Sequence, residues 1–162
     1  MTLTETDSRL FNPCRMVEKA TAGVIELNDS AIEVTVEPNF DMLVETSNHV
    51  VSHNDPSAYQ ISKNTIFVNG IHFFNFSSEI QAATLAHEVG HHLCNVAKHP
   101  ERKLGISEDI FADWLVCGWG FFEALKKSRE DRFGEEYATL LEHWKEKETF
   151  FDKMKEWRKT RN

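Results

Sequence analysis

Long apolar runs are missing from this 162-residue chain. None approaches the roughly 18 residues that a membrane span needs, so no membrane partner is expected. Glycine and proline are scarce, at 7 and 4 residues, which excludes a collagen-like or low-complexity chain. Positive charge is short as well: 18 Lys and Arg face 26 Asp and Glu, for a formal charge of −8. So acidic a chain is a poor phosphate-tracking surface, and nucleic acid is not an expected partner. The basic spots at Lys126-Lys127, Arg129, Arg132 and Arg158-Lys159-Thr160-Arg161 alternate with acids and read as solvated helix faces. Cysteine is limited to Cys14, Cys94 and Cys117, odd in number and too widely spaced for a disulfide framework or a CxxC zinc clip. Met1 to Asp7 shows no basic stretch leading into an apolar one. Free thiols and no secretory pattern predict a cytoplasmic protein.

What is present suits an ordinary globular chain, 41 % apolar and 27 % charged. Length predicts a single domain over residues 1–162. β-branched residues and turn signals concentrate in the first half and helix formers in the second, which predicts an α+β fold, not alternating βαβ units. Residues 23–28 and 31–37 read as two short strands joined by Asn28-Asp29-Ser30, a plausible hairpin. Residues 46–58 read as a loop. Ile61 to Phe76 reads as strand, firmest at Thr65-Ile66-Phe67-Val68 and interrupted by the Asn69-Gly70 turn signal. Ser78-Glu79-Ile80-Gln81 matches a capping box with Ser78 as N-cap, opening a helix to about Asn95 or Val96, and Pro100 closes the region. A second helix starts at Ser107, places Glu108 and Asp109 in its first turn and runs toward Gly118 or Gly120. From Gly134 onward the chain is amphipathic, with Tyr137, Leu141, Trp144, Phe150, Met154 and Trp157 near helical spacing.

His87-Glu88-Val89-Gly90-His91 is an HExxH motif on the first of these helices. Residues four apart share a helix face, so two imidazoles there can converge on one Zn²⁺. The Glu between them projects beside the metal and serves as general base toward water. Random placement of 8 His and 18 Glu would give roughly 0.04 such matches in a chain of this length. Gly90 costs helix stability, about 1 kcal/mol against Ala, which points to another backbone passing close by. The metzincin extension fails, since its Gly and third His positions hold Cys94 and Ala97. His92 points about 100° away from His91, so it reads as a solvated or hydrogen-bonded ring.

With Glu108-Asp109-Ile110-Phe111-Ala112-Asp113 downstream, the chain resembles the gluzincin metallopeptidases, in the form of a minimal intracellular zincin like the small zinc peptidases found with bacterial and phage regulators. The resemblance covers residues 57–125. In that family a carboxylate from a second helix, in an ExxxD or ExxAD pattern, completes the site. Carried over, it implies Asp109 as third zinc ligand and Asp113 as the residue orienting a zinc-binding His. Asp stands where the family has Glu, and Glu108 is the rival ligand, although it would put Asp113 five residues on. The resemblance further implies a small N-terminal antiparallel or mixed sheet ahead of the HExxH helix, the acidic helix and C-terminal amphipathic helices. In such folds an extended peptide pairs with the strand before the active helix, and Thr65 to Asn69 is the segment expected here.

The expectation is a zinc-dependent peptidase acting on a peptide or protein substrate, with Zn²⁺ on His87, His91 and Asp109 and Glu88 as general base. His72, Tyr59, His49, His53 and His143 are the candidates for stabilising the oxyanion. The alternative is a catalytically silent zinc-containing regulatory or protein-binding module; a metal-free helical interaction protein ranks behind it. Oligomeric state stays open.

Overall fold

The computed structural model describes residues 1–40, 54–97 and 107–161. It is α+β: a four-stranded mixed sheet followed by a largely helical second half. The strands are β1 (Thr2–Glu5), β2 (Ala31–Val36), β3 (Ser57–Gln60) and β4 (Thr65–Val68), in the order β1-β2-β4-β3. β1 runs parallel to β2, with Thr2 opposite Ala31, and β2 runs parallel to β4, with Glu33 opposite Thr65. β3 is antiparallel to β4, with Ser57 opposite Val68.

The expected hairpin is not formed. Ile25–Leu27 is a turn of 3₁₀ helix, and β2 pairs with β1, which a helix, α1 (Phe11–Ala20), connects to it. One β-α-β unit therefore stands where none was expected. The alternation read in residues 31–37 does hold: Ile32 and Val34 are buried, and Ala31 and Glu33 face out. The strand expected from Ile61 to Phe76 shrinks to β4, because Ile61–Lys63 is a 3₁₀ turn and Gly70–Phe73 forms a short helix, α2. Asn64 between them adopts a left-handed φ of 47°, and that ends the turn before β4 begins. β3 starts at the end of the segment read as a loop, of which residues 46–53 lie outside the described residues. β4 is buried along its whole length and paired on both sides, by β2 and β3, so it has no free edge; the outer strands among the described residues are β1 and β3.

Helix α3 (Ser78–Ala97) crosses this sheet and carries the HExxH motif. Its cap is Ser77, one residue earlier than expected: Ser77 Oγ accepts from Ile80 N at 3.3 Å, and Gln81 Nε2 reaches back to Phe76 O at 3.1 Å. Ala82, Ala83, Leu85, Ala86, Val89 and Leu93 pack with Leu3, Ile32, Val34, Ile66 and Val68 of the sheet and Leu10, Cys14 and Val17 of the N-terminal segment. At about 25 cal/mol per Å² of apolar surface withdrawn from water, this burial is the main force seating α3.

Helix α4 (Glu108–Val116) returns alongside α3, capped by Ser107 Oγ accepting from Ile110 N at 3.2 Å. The connection around Pro100, residues 98–106, lies outside the described residues. α4 gives way to a π-helical turn, Cys117–Phe121, in which Gly120 takes a φ of +97° and redirects the chain. Helices α5 (Phe122–Phe133), α6 (Glu135–Leu141) and α7 (Lys147–Lys159) follow, and Tyr137, Leu141, Phe150, Phe151 and Met154 of their apolar faces are buried. Among the described residues no helix is long and apolar enough to cross a membrane.

Candidate metal centre

α3 places His87 and His91 one turn apart with their rings edge to face, centroids 4.8 Å apart. Their Nε2 atoms lie 3.2 Å from each other. α4 brings the carboxylate of Asp109 onto both: its Oδ1 is 3.2 Å from His87 Nε2 and 2.9 Å from His91 Nε2. Ligands bound at about 2.0–2.1 Å around a tetrahedral Zn²⁺ stand about 3.3 Å apart, so these three atoms form a triangle close to that size. Ligand atoms of His87, Glu88 and His91 also lie within 4.8 Å of one another, which puts the Glu88 carboxylate beside the triangle.

The outer nitrogens fix which atoms face inward. His87 Nδ1 meets Asp113 Oδ1 at 2.7 Å, and His91 Nδ1 meets Glu108 Oε1 at 2.9 Å. Each carboxylate accepts an N–H from its ring, and the Nε2 lone pairs are left pointing toward Asp109. The two acids that the sequence left as rivals thus occupy different places. Asp109 faces both inner nitrogens and Glu108 holds the back of one ring. Three electron-rich atoms turned toward one point repel unless a proton or cation lies among them, and the electrostatics follow. Burial works against charge on His91, but hydrogen bonds to Asp109 and Glu108 and the nearby Glu88 outweigh it and lift the ring to about 10. Burial also opposes charge on His87, and the Asp113 carboxylate with the hydrogen bonds to Asp109 and Asp113 still holds it above its ordinary value. Hydrogen bonds to His87 and His91 keep Asp109 far below the usual carboxylate range.

Asp113 is 2 % exposed and belongs to a buried network. Arg129 grips it with two hydrogen bonds, Nε to Oδ2 and Nη2 to Oδ1, both 2.8 Å, and Tyr137 donates its hydroxyl to Oδ2 at 2.6 Å. Burial would raise Asp113, but the charge and hydrogen bonds of Arg129 hold it ionised. Arg129 was expected on a solvated face; it is buried, because α5 turns it inward onto α4. Neither Arg129 nor Tyr137 carries a motif. A signal existed only in the pairing of a helix cation and an aromatic hydroxyl with an acid flanked by apolar residues.

Ser57 was also missed. Its Oγ donates to Glu88 Oε2 at 2.8 Å from the start of β3. His92 is hydrogen-bonded as expected: Nε2 lies 2.8 Å from Ser30 Oγ and Nδ1 2.7 Å from Tyr59 OH, whose proton goes to Asn64 Oδ1 at 2.9 Å. That network engages Tyr59. His143 lies 3.9 Å from Glu146, His72 sits in α2, and His49, His53 and His99 lie outside the described residues. No oxyanion donor among the candidates is brought to the triangle by a hydrogen bond among the described residues.

Set against protein-family models, curated proteins and solved structures, the chain has no match.

Proposed function

We propose that this chain is a zinc-dependent peptidase with a minimal gluzincin-like site. One observation carries the reading: His87 Nε2, His91 Nε2 and Asp109 Oδ1 form a triangle with sides of 2.9–3.2 Å, with Glu88 alongside. His87, His91 and Asp109 would hold the ion, and Asp109 stands at the exposed rim, 76 % accessible, where a substrate can approach. When bound, zinc supplies Lewis acidity, lowering the pKa of water and polarising a carbonyl. Glu88 takes a proton from the attacking water and passes it to the leaving amine, the work of a carboxylate held beside the ligands and not among them. Asp113 and Glu108 keep both rings in the Nδ1–H tautomer. An extended peptide pairs with β3, the outer strand that carries Ser57 beside Glu88, in place of the segment first expected. Cys14, Cys94 and Cys117 are all buried, and the described residues show no disulfide, which agrees with a reducing, cytoplasmic setting.

The test is metal analysis together with hydrolysis of a mixed peptide library by wild type and Glu88→Gln. One zinc per chain is expected in both, with cleavage reduced roughly 10²- to 10⁴-fold in the variant. Zinc in both proteins without cleavage by the wild type would select the silent binding module. No metal uptake from replete medium would remove both readings.

A further inference from the structure

Glu88 is 6 % exposed, and a buried carboxylate ordinarily needs several donors. Among the described residues it has one hydrogen-bond partner, Ser57, on Oε2. Ser57 is itself buried and rigidly mounted. It faces Val68 in the β3–β4 ladder, and Asn69 clamps the two residues ahead of it, N to Pro56 O at 2.8 Å and Nδ2 to Asp55 O at 3.2 Å. One carboxylate oxygen is therefore tied to the sheet, while the carboxylate as a whole stands within 4.8 Å of the His87 and His91 ligand atoms.

We propose that Ser57 is a positioning residue for Glu88: its hydroxyl locks the carboxylate rotation so that Oε1 faces the reacting water. This rests on the peptidase reading. Without the hydroxyl, the carboxylate rotates about its last torsion, which is broad for Glu, and the proton-accepting oxygen spends less time in place. Because Ser57 lies on β3, an outer strand, the proposed peptide-pairing edge and the base share one rigid support. A side chain that only filled space at this position would leave turnover untouched when replaced by another small residue.

Steady-state kinetics of Ser57→Ala and Ser57→Thr test this, with zinc content measured in parallel. Ser57→Ala is expected to keep one zinc per chain and a KM within about twofold, and to lose roughly ten- to a hundredfold in kcat, the weight of one hydrogen bond to a charged group. Ser57→Thr should restore most of the loss. In the Glu88→Gln background, Ser57→Ala should cost nothing further. An unchanged kcat in Ser57→Ala, or a loss undiminished in that background, would overturn the proposal. If Ser57→Ala does not fold, Ser57→Cys, of similar size with a weaker donor, carries the same expectations. Crystal structures of wild type and variant give a readout free of activity. A single Glu88 rotamer seated on Ser57 should become rotated or split, and an unmoved carboxylate would refute the role. If the wild type cleaves no peptide, the peptidase reading fails, while this comparison still decides what Ser57 does.

Discussion

Gly90 of α3 lies directly against Ala112 of α4: a Cβ on Gly90 would stand 2.9 Å from the Ala112 Cβ and 3.1 Å from its Cα. Two small residues at one crossing let the helix bearing both histidines approach the helix bearing the acids. Asp is one methylene shorter than the Glu of the resembled pattern, so this closeness is what allows Asp109 to reach both rings. The same geometry explains a glycine in the interior of a twenty-residue helix.

Gly90→Ala should therefore loosen the site. Alanine gains about 1 kcal/mol of helix propensity, but overpacking costs about 1–3 kcal/mol, and the Ala112 backbone cannot swing aside as a flexible side chain would. A lower melting temperature and at least a tenfold weaker zinc affinity in competition with a chelator are expected. A variant as stable and as zinc-avid as the wild type would show that this crossing does not set the ligand geometry.

Asp109 and Glu108 should separate cleanly. Asp109→Asn removes the charge from one corner of the triangle, and Glu108→Gln only weakens the hold on His91 Nδ1. Losing an outer partner costs roughly 10- to 100-fold in metal affinity, so Glu108→Gln should fall in that range and Asp109→Asn beyond it. Chelation of the wild type should lower its melting temperature, since an ion bound only by the folded chain stabilises it by mass action. Isothermal titration with zinc reads the two variants directly. The reverse ranking would make Glu108 the ligand.

The helices of the site were legible because their signals are local. Ser107 with two acids behind it marks a helix start, and the His87–His91 spacing marks a shared face. The strands were less so. Val24 to Leu27 is as apolar as a strand but folds as a 3₁₀ turn, and β2 finds its partner in β1, some thirty residues back, a pairing that no local pattern encodes. β3 sits in a stretch rich in turn formers, and it becomes a strand only because β4 offers an edge. Ser57, Arg129 and Tyr137 were invisible for the same reason: each acts through a contact at least sixteen residues away.

Separating Arg129 from Asp113 should also damage stability and site together. Asp113→Asn leaves a buried guanidinium facing a neutral amide, and uncompensated buried charge costs about 3–5 kcal/mol. It also loosens His87, because an amide oxygen is a weaker acceptor for the Nδ1 proton. Urea unfolding should show that loss, and adding Arg129→Met to Asp113→Asn should recover part of it while zinc affinity stays low. Recovery of both would mean that Asp113 serves the fold alone.

Tyr59 gives the contrasting case, a polar network on the same helix that should matter to stability and not to the metal. Its hydroxyl has one proton, donated to Asn64 Oδ1, so it accepts from His92 Nδ1, and His92 Nε2 accepts from Ser30. The chain of donors runs one way and ties α3 to the ends of β2 and β3. Tyr59→Phe leaves the His92 N–H and the Asn64 carbonyl without that partner, at a cost of about 1–3 kcal/mol. His92 points about 100° away from His91, so the inner nitrogens should keep their places. Chemical denaturation should show the stability loss while zinc stoichiometry and kcat stay within about twofold of wild type. A large fall in zinc affinity would mean that the sheet-side network, and not the α3–α4 contact alone, holds the histidines in register.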